Sequence, residues 1–536
     1  MKKSVVFLAI LLGGIFLTIL PLREQAFRDD FAYVWSVKNL TETGRLKISE
    51  WSSAADITQT YWGTGWSRVF GFSFRTLHAA NFFMLAVGIL AYFGLLKEVG
   101  LTNRRAVIFV LLLLANPWIL NFTMSYMTDI QAMSWAIVAL LFFVQGFKKA
   151  SIKSMVAGGF AAGLSFLTRQ IAISILIGLI VALIVSHLKK QKKLIFPLIF
   201  GASVFGGIVI LYLLWLQTGD HKTVGQYFFV DKMSFGGIYA KLFPGSQTSI
   251  SESFQIWQLL FHRFMFYLSQ IIVFTLPVWT FFNVRKVDVL AILERWRVTI
   301  VSALILGGSY VIDVQLNRKG YSGGYPLAAF EIVPIWPWFW PHLWKFFLFG
   351  GIILWIFLPA IVSVFKRSMP KFPLALFLVP TTLAYIWFTI TNVWHWPQFS
   401  IQLYPFVLLF FAWWMKNKMV SFRRSFIIMT ILLAYSVWLT KFRYYVTGEL
   451  WAACEQLVRE GYRPSEIECN GQYSHKAWHE FEKGIAKRIE RAGTKNFAND
   501  KGDVWFDEAQ RRKIRVKVTY SDSFWRRVPK IVIEKL

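Results

Sequence analysis

Apolar residues in this chain come in blocks of roughly 14–20, among them Val5–Leu22, Leu77–Leu96, Ala106–Ile119 and Ile171–Val185, parted by short polar or charged stretches. A helix rises about 1.5 Å per residue, so about 20 residues cross a ~30 Å hydrocarbon core, and the shorter blocks reach that length with their flanks. One such block fits a buried helix of a soluble domain. About a dozen do not. The pattern predicts an all-α polytopic membrane protein.

The polar gaps orient the spans. Lys2 and Lys3 put the N-terminus on the cytoplasmic side, and a retained first helix follows. Further basic gaps carry Lys97, Arg104 and Arg105, then Lys148, Lys149 and Lys153, then Lys189, Lys190, Lys192 and Lys193. Later ones hold Arg285, Lys286, Arg295 and Arg297, then Lys366, Arg367 and Lys371, then Lys416, Lys418, Arg423 and Arg424. The turn around Asn121–Asp129 has no Lys or Arg. For the parity to close, Met155–Val185 must be two helices with Arg169 at their outer turn. About thirteen spans result, N-terminus inside and C-terminus outside.

Composition agrees with this reading. The 536 residues are 56% hydrophobic and only 16% charged, against about 45–50% and about 25% in soluble domains. The formal net charge of +29 would suggest nucleic acid in a soluble protein. Here the basic residues sit in gaps between spans, so the charge reads as topology and no nucleic-acid partner is expected.

Four longer segments are expected outside. The first, residues 23–76, contains aromatic, amphipathic pieces at Phe31–Leu40 and Tyr61–Phe70 that suit the membrane interface. The second spans about 217–255 and the third about 313–342. The transmembrane unit is expected to occupy residues 1–441. Residues 442–536 form a small α+β extracytoplasmic domain, helical at Glu449–Glu460 and Ala477–Ala492 and β-like at Ile514–Tyr520 and Lys530–Glu534. Cys454 and Cys469 both lie in that tail; a disulfide and two separate thiols are both open.

Candidate chemistry gathers on the outer side. Asp29 and Asp30 follow the first helix, and two adjacent carboxylates repel each other until a cation or substrate arrives. Asp129 opens the fourth span, either as a helix-end charge or as a mark of a substrate path. Arg169, flanked by apolar sequence, needs an anionic partner, a carboxylate or a phosphate. His221 and Lys222 open another outer loop, and His395 stands among Trp394, Trp396 and Pro397.

The order of these motifs resembles the GT-C membrane glycosyltransferases, in particular the family of protein O-mannosyltransferases and aminoarabinose lipid A transferases. Asp29-Asp30-Phe31-Ala32-Tyr33, then Lys38-Asn39-Leu40 and Gly44-Arg45-Leu46, is similar to that family's acidic pair, aromatic and glycine turn. Gln59-Thr60-Tyr61-Trp62 through Phe70-Gly71 resembles its next motif without the prolines. Asn116-Pro117 followed by Asp129, and Gly163-Leu164-Ser165-Phe166-Leu167-Thr168-Arg169 with Arg in place of Lys, continue the series. Gln402-Leu403-Tyr404-Pro405 stands where the family has Arg-Tyr-x-x-Pro.

The resemblance implies an inverting transferase that moves a sugar from a polyprenyl-phosphate carrier to a lipid, glycan or protein acceptor. It implies Asp29 as general base with Asp30 as its fallback, and Arg169, then His221 or Lys222, as partners of the leaving phosphate. Asp129 would orient Arg169, hold the acceptor or join a divalent metal (Mg or Mn), since some of these enzymes use one. Tyr61, His395 and Tyr404 are further candidates from their motifs. The setting expected is a bacterial inner membrane with a periplasmic tail. The rival classes are a transporter or flippase of lipid-linked sugars and a non-catalytic membrane scaffold.

Overall fold

The structure is a computed structural model of the 536-residue chain. It describes residues 2–19, 24–27, 29–218, 373–391, 400–415, 422–469, 514–520 and 529–535, with residues 221, 223, 226, 257, 260, 478 and 479. Over these residues the elements are numbered in chain order. Helices α1 (Lys2–Ile19), α4 (Phe74–Glu98), α7 (Thr128–Lys149), α9 (Ile173–Leu188), α10 (Lys192–Gln217) and α13 (Phe422–Arg459) have the length and apolarity to cross a membrane. The pair α5 (Asn103–Leu114) and α6 (Pro117–Thr123), bent by 68°, is together long and apolar enough for a broken span or a re-entrant loop. Helices α8 (Ile152–Thr168), α11 (Pro373–Thr391) and α12 (Ser400–Met415) contain shorter apolar stretches. The other expected spans, and Ala477–Ala492 apart from Trp478 and His479, lie outside the described residues.

The breaks follow local chemistry. Pro117 cannot donate a backbone bond, so it begins α6; Asn116 caps it by accepting from the Trp118 amide at 3.0 Å. Arg169 is extended at φ −151° and ends α8; a 3₁₀ turn, Gln170–Ala172, leads into α9. Met155–Val185 is therefore two helices turning at Arg169, as the charge parity requires. Glycines allow these helices close approach, a usual device where apolar surface meets lipid on every side. At Gly158 an added Cβ would come within 2.7 Å of the Phe143 ring, so α7 and α8 meet there without a side chain between them.

Between α1 and α4 lie two shorter helices, α2 (Asp30–Thr43) and α3 (Ile57–Phe70). The sequence suggests that both lie along the interface. Helix α2 packs against the bundle, with Phe31, Val34 and Val37 buried, while α3 keeps Tyr61, Val69 and Phe70 exposed.

Helix α13 does not end where hydropathy falls, near Lys441, but continues to Arg459. Strand β1 (Ile467–Cys469) returns beside it, parallel to β2 (Ile514–Tyr520), and β2 pairs antiparallel with β3 (Pro529–Lys535). Cys454 on α13 is disulfide-bonded to Cys469 on β1, with Cα atoms 6.4 Å apart. Around that bond Leu450, Leu457, Ile514 and Val516 form a second apolar core.

Candidate functional site

The cluster is built on Asp30. Its carboxylate is fully buried and accepts from the Phe27 amide at 2.5 Å, the Tyr126 amide at 3.2 Å and His78 Nε2 at 3.1 Å. His78 sits one turn into α4, also fully buried, with Nδ1 3.5 Å from the Tyr444 hydroxyl on α13. An Nε2–H tautomer satisfies both neighbours: the ring donates to Asp30 and accepts from Tyr444. Gln25 adds a bond from its side-chain amide to the Tyr444 carbonyl, 3.2 Å. Three elements, α2, α4 and α13, thus meet at one carboxylate. Burial pushes the Asp30 acid above its ordinary range, against the pull of the His78 hydrogen bond and charge.

Tyr126 carries the network to α3. Its hydroxyl donates to the Gln59 carbonyl and the Gln59 side chain donates to the Tyr126 carbonyl, both at 2.6 Å. Gly63 leaves room for this, since an added Cβ would collide with the Tyr126 hydroxyl and lie 2.8 Å from Val37. Asn81 holds the turn after α6 by donating to the carbonyls of Phe122 at 3.1 Å and Ser125 at 2.6 Å. That turn delivers Asp129 to the first turn of α7.

Asp129 is buried and its Oδ1 lies 2.7 Å from Arg169 Nη1, which also donates to Thr128 Oγ1 at 3.1 Å. The Arg169 side chain remains 15% exposed. The Asp56 amide donates to the Thr168 carbonyl at 3.3 Å, which brings the loop before α3 to the same corner. Tyr33, buried on α2, lies within electrostatic reach of Arg169, Asp29, Asp56 and Asp129. Burial raises the Tyr33 phenol, Arg169 opposes this, and the three carboxylates reinforce it.

Asp29 differs from its neighbour. It is half-buried, and the Trp51 indole N–H donates to its Oδ1 at 3.4 Å. Asp30 is consumed as a structural clamp, whereas Asp29 stands at the rim. Asp56 is the group that sequence reasoning missed: fully buried, in left-handed backbone at φ 56°. The Ser36 and Thr60 hydroxyls, which also bond the Ala32 and Asp56 carbonyls, are near enough to the Asp56 carboxylate to pull the acid down, but burial outweighs them. Burial raises its acid well above the ordinary range. Nothing in the residues around Asp56 distinguishes it beforehand. His78 was discoverable, because an ionisable side chain inside an apolar span requires a partner.

The remaining candidates divide. His221 stacks on Trp215 with ring centroids 4.3 Å apart. Beside it, Thr223 and Gln226 bond the carbonyls of Ser52 at 2.6 Å and Ala54 at 2.9 Å, so this segment reaches the loop that carries Asp56. Tyr61 is exposed on α3. Tyr404 is buried on α12 within electrostatic reach of Tyr92; Tyr92 lies fourteen residues beyond His78 on α4, about 21 Å along the axis, so Tyr404 is not brought to the cluster. Lys222 and His395 lie outside the described residues. Among the described residues, no three His, Cys, Asp or Glu side chains gather as a metal site would require.

The fold and site together define a polytopic helical membrane protein with a carboxylate–arginine cluster at one end of its bundle. Residues 60–215 match the family model described as dolichyl-phosphate-mannose-protein mannosyltransferase. That interval holds Asn116-Pro117, Asp129 and the Gly163–Arg169 motif, and the match bears out the resemblance to the GT-C transferases. Among solved structures, the chain is similar to ArnT from Cupriavidus metallidurans bound to undecaprenyl phosphate, at 15% identity and TM-score 0.46, over 86% of this chain and 73% of that one. It is also similar to the archaeal oligosaccharyltransferase AglB from Archaeoglobus fulgidus in complex with an inhibitory peptide and a dolichol-phosphate, at 14% identity and TM-score 0.45. That likeness spans 89% of this chain and 59% of AglB. No curated protein matches the chain.

Proposed function

We propose that the protein transfers a sugar from a polyprenyl-phosphate carrier to an acceptor hydroxyl on the outer face of the membrane, with inversion at the anomeric carbon. The observation that carries this reading is the juxtaposition of a rim carboxylate, Asp29, with a half-sheltered cation, Arg169, around buried Tyr33. The acceptor oxygen attacks the anomeric carbon and the bond from that carbon to the phosphate oxygen breaks. The electron pair leaves with polyprenyl phosphate, and Asp29 takes the acceptor proton. Arg169 meets the charge that develops on the departing phosphate, and Asp129 positions it through the 2.7 Å ion pair. Asp30 acts through structure, holding the segment that bears Asp29 against α4 and the Tyr126 turn. Whether a divalent metal (Mg or Mn) takes part is read by a metal-dependence assay.

A transporter of lipid-linked sugars is not favoured, because the ion pairs lie at helix ends and transporters bind near the membrane midplane. The test is release of polyprenyl phosphate from a donor labelled in its sugar, using purified full-length protein and host envelope acceptors. Wild-type protein releases the carrier and labels an acceptor. Asp29→Asn inserts normally and does neither. Full transfer by well-folded Asp29→Asn would sink the base assignment, and movement of intact donor without release would replace transfer with transport.

A further inference from the structure

A concavity whose lining includes neither Asp129 nor Arg169 lies between the start of α4 and the far end of α13. Its volume is about 790 Å³, within the ~300–1,000 Å³ of small-molecule sites. Phe74, Trp451 and Trp478 form an aromatic wall, with Phe74 edge-on to both indoles at 5.9 and 4.9 Å. Trp478 is partly exposed and Lys38 stands over its ring at 5.6 Å. Polar groups of both signs share the lining with the wall. Glu455 lies 2.6 Å from His479 Nε2, Arg459 follows one turn later on α13, and Glu24 accepts from the Phe74 amide at 2.9 Å.

We propose that this cavity binds a neutral saccharide, the glycan part of the acceptor. An indole face presents a flat apolar surface to the C–H face of a pyranose, while carboxylate, imidazole and guanidinium groups supply the acceptors and donors that hydroxyls need. Charge argues against a phosphate ligand. In a chain of net charge +29, Glu24 and Glu455 here match the cations Arg459 and Lys38, and His479 is taken up by Glu455, so the cavity has no marked cationic excess to select an anion. Position makes the ligand an acceptor. Glu24 and Asp29 share the short segment between α1 and α2, and Phe74 lies 6.2 Å, ring to ring, from His78, the partner of Asp30. The cavity is therefore tied to the segment that bears the proposed base, through Glu24 along the chain and through Phe74, His78 and Asp30 across it. The word acceptor rests on the transfer reading above; saccharide binding does not.

The test is saturation-transfer NMR on full-length protein in detergent with two probes, chitobiose and mannobiose. At least one gives saturation of its ring protons, reduced by about tenfold or more in Trp478→Ala, the loss expected of an aromatic anchor. Glu455→Gln keeps the side-chain shape and reads the same site if Trp478→Ala fails to fold; Asp29→Asn keeps the signal while losing transfer. No saturation of either probe, or an equal signal in Trp478→Ala and Glu455→Gln, overturns the saccharide site. Saccharide binding in a protein that never releases polyprenyl phosphate leaves this site standing and sinks the transfer reading. Carrier release and acceptor labelling without any saccharide signal do the reverse.

Discussion

His78 Nε2 and Asp30 Oδ2 lie 3.1 Å apart with both side chains fully buried, joining the first turn of α4 to the start of α2. A buried carboxylate that loses its side-chain partner retains the cost of its desolvation. His78→Ala is therefore expected to lower stability by about 3 kcal/mol, and His78→Gln, which can place an amide N–H near the same point, to recover part of it. Thermal midpoints of the two variants in one detergent check this. Equal loss in both would mean that packing of the ring, not the bond to Asp30, matters.

The adjacent aspartates are expected to separate in their effects. Asp29→Asn should leave the thermal midpoint within about 0.5 kcal/mol of wild type, as for a substitution at a rim. Its transfer rate should fall by roughly 10²–10⁴, the contribution of a general base. Asp30→Asn keeps only one of the two oxygens, so either the Phe27 amide on Oδ1 or the Tyr126 amide and His78 on Oδ2 lose their acceptor, and it should lower the midpoint and reduce transfer together. Paired measurements of midpoint and initial rate decide the matter; a stable, inactive Asp30→Asn would exchange the two roles.

Much of this arrangement was legible in the sequence, for physical reasons. Charge parity demanded a turn at Arg169, and the chain turns there because a cation cannot be left inside an apolar span. Alternation marked Ile514–Tyr520 and Lys530–Glu534, which form β2 and β3 within a residue of those bounds. Composition could not show that α13 continues through Lys441 to Arg459: helix persistence depends on the packing of Leu450, Cys454 and Leu457 against the strands, not on hydropathy. Nor could it show that α2 is buried, because its Asp30 and Ser36 look like surface polarity until His78 and the Ser49 amide are known to bond them. Asp56 stayed hidden because its position comes from a long-range backbone bond to Thr168.

Arg169 and Asp129 are expected to behave as a coupled pair. Arg169→Ala strands a buried carboxylate and should cost about 3–5 kcal/mol. Asp129→Asn on the same background removes that stranded charge, so the double variant should be more stable than Arg169→Ala alone, while transfer stays lost in both. Arg169→Lys should retain stability better than activity, since a point charge can face Asp129 but does not reproduce a planar fork that serves Thr128 and a phosphate at once. Midpoints for wild type, Arg169→Ala, Asp129→Asn alone and the double variant close the cycle; strict additivity would mean that the 2.7 Å pair has no energetic consequence.

Asp56 makes stability depend on pH in a direction that can be worked out beforehand. Burial raises its folded-state acid well above the ordinary value, so the folded protein favours the protonated group more than the unfolded chain does. The stabilising contribution is complete below the unfolded value, near ~3.9, and is lost as pH rises through the folded one. Asparagine copies the neutral acid in shape and tolerates the left-handed backbone that Asp56 adopts at φ 56°. Asp56→Asn and wild type should therefore have similar midpoints at pH 4, and the variant should become progressively the more stable toward pH 8. The gap grows by at most about 1.4 kcal/mol per pH unit between the two values. Asp30 titrates alike in both proteins and cancels from the difference. Midpoints measured at four or more pH values provide the check. A gap that is constant, or that closes as pH rises, would show that the Asp56 carboxylate is charged in the folded protein and has a partner there.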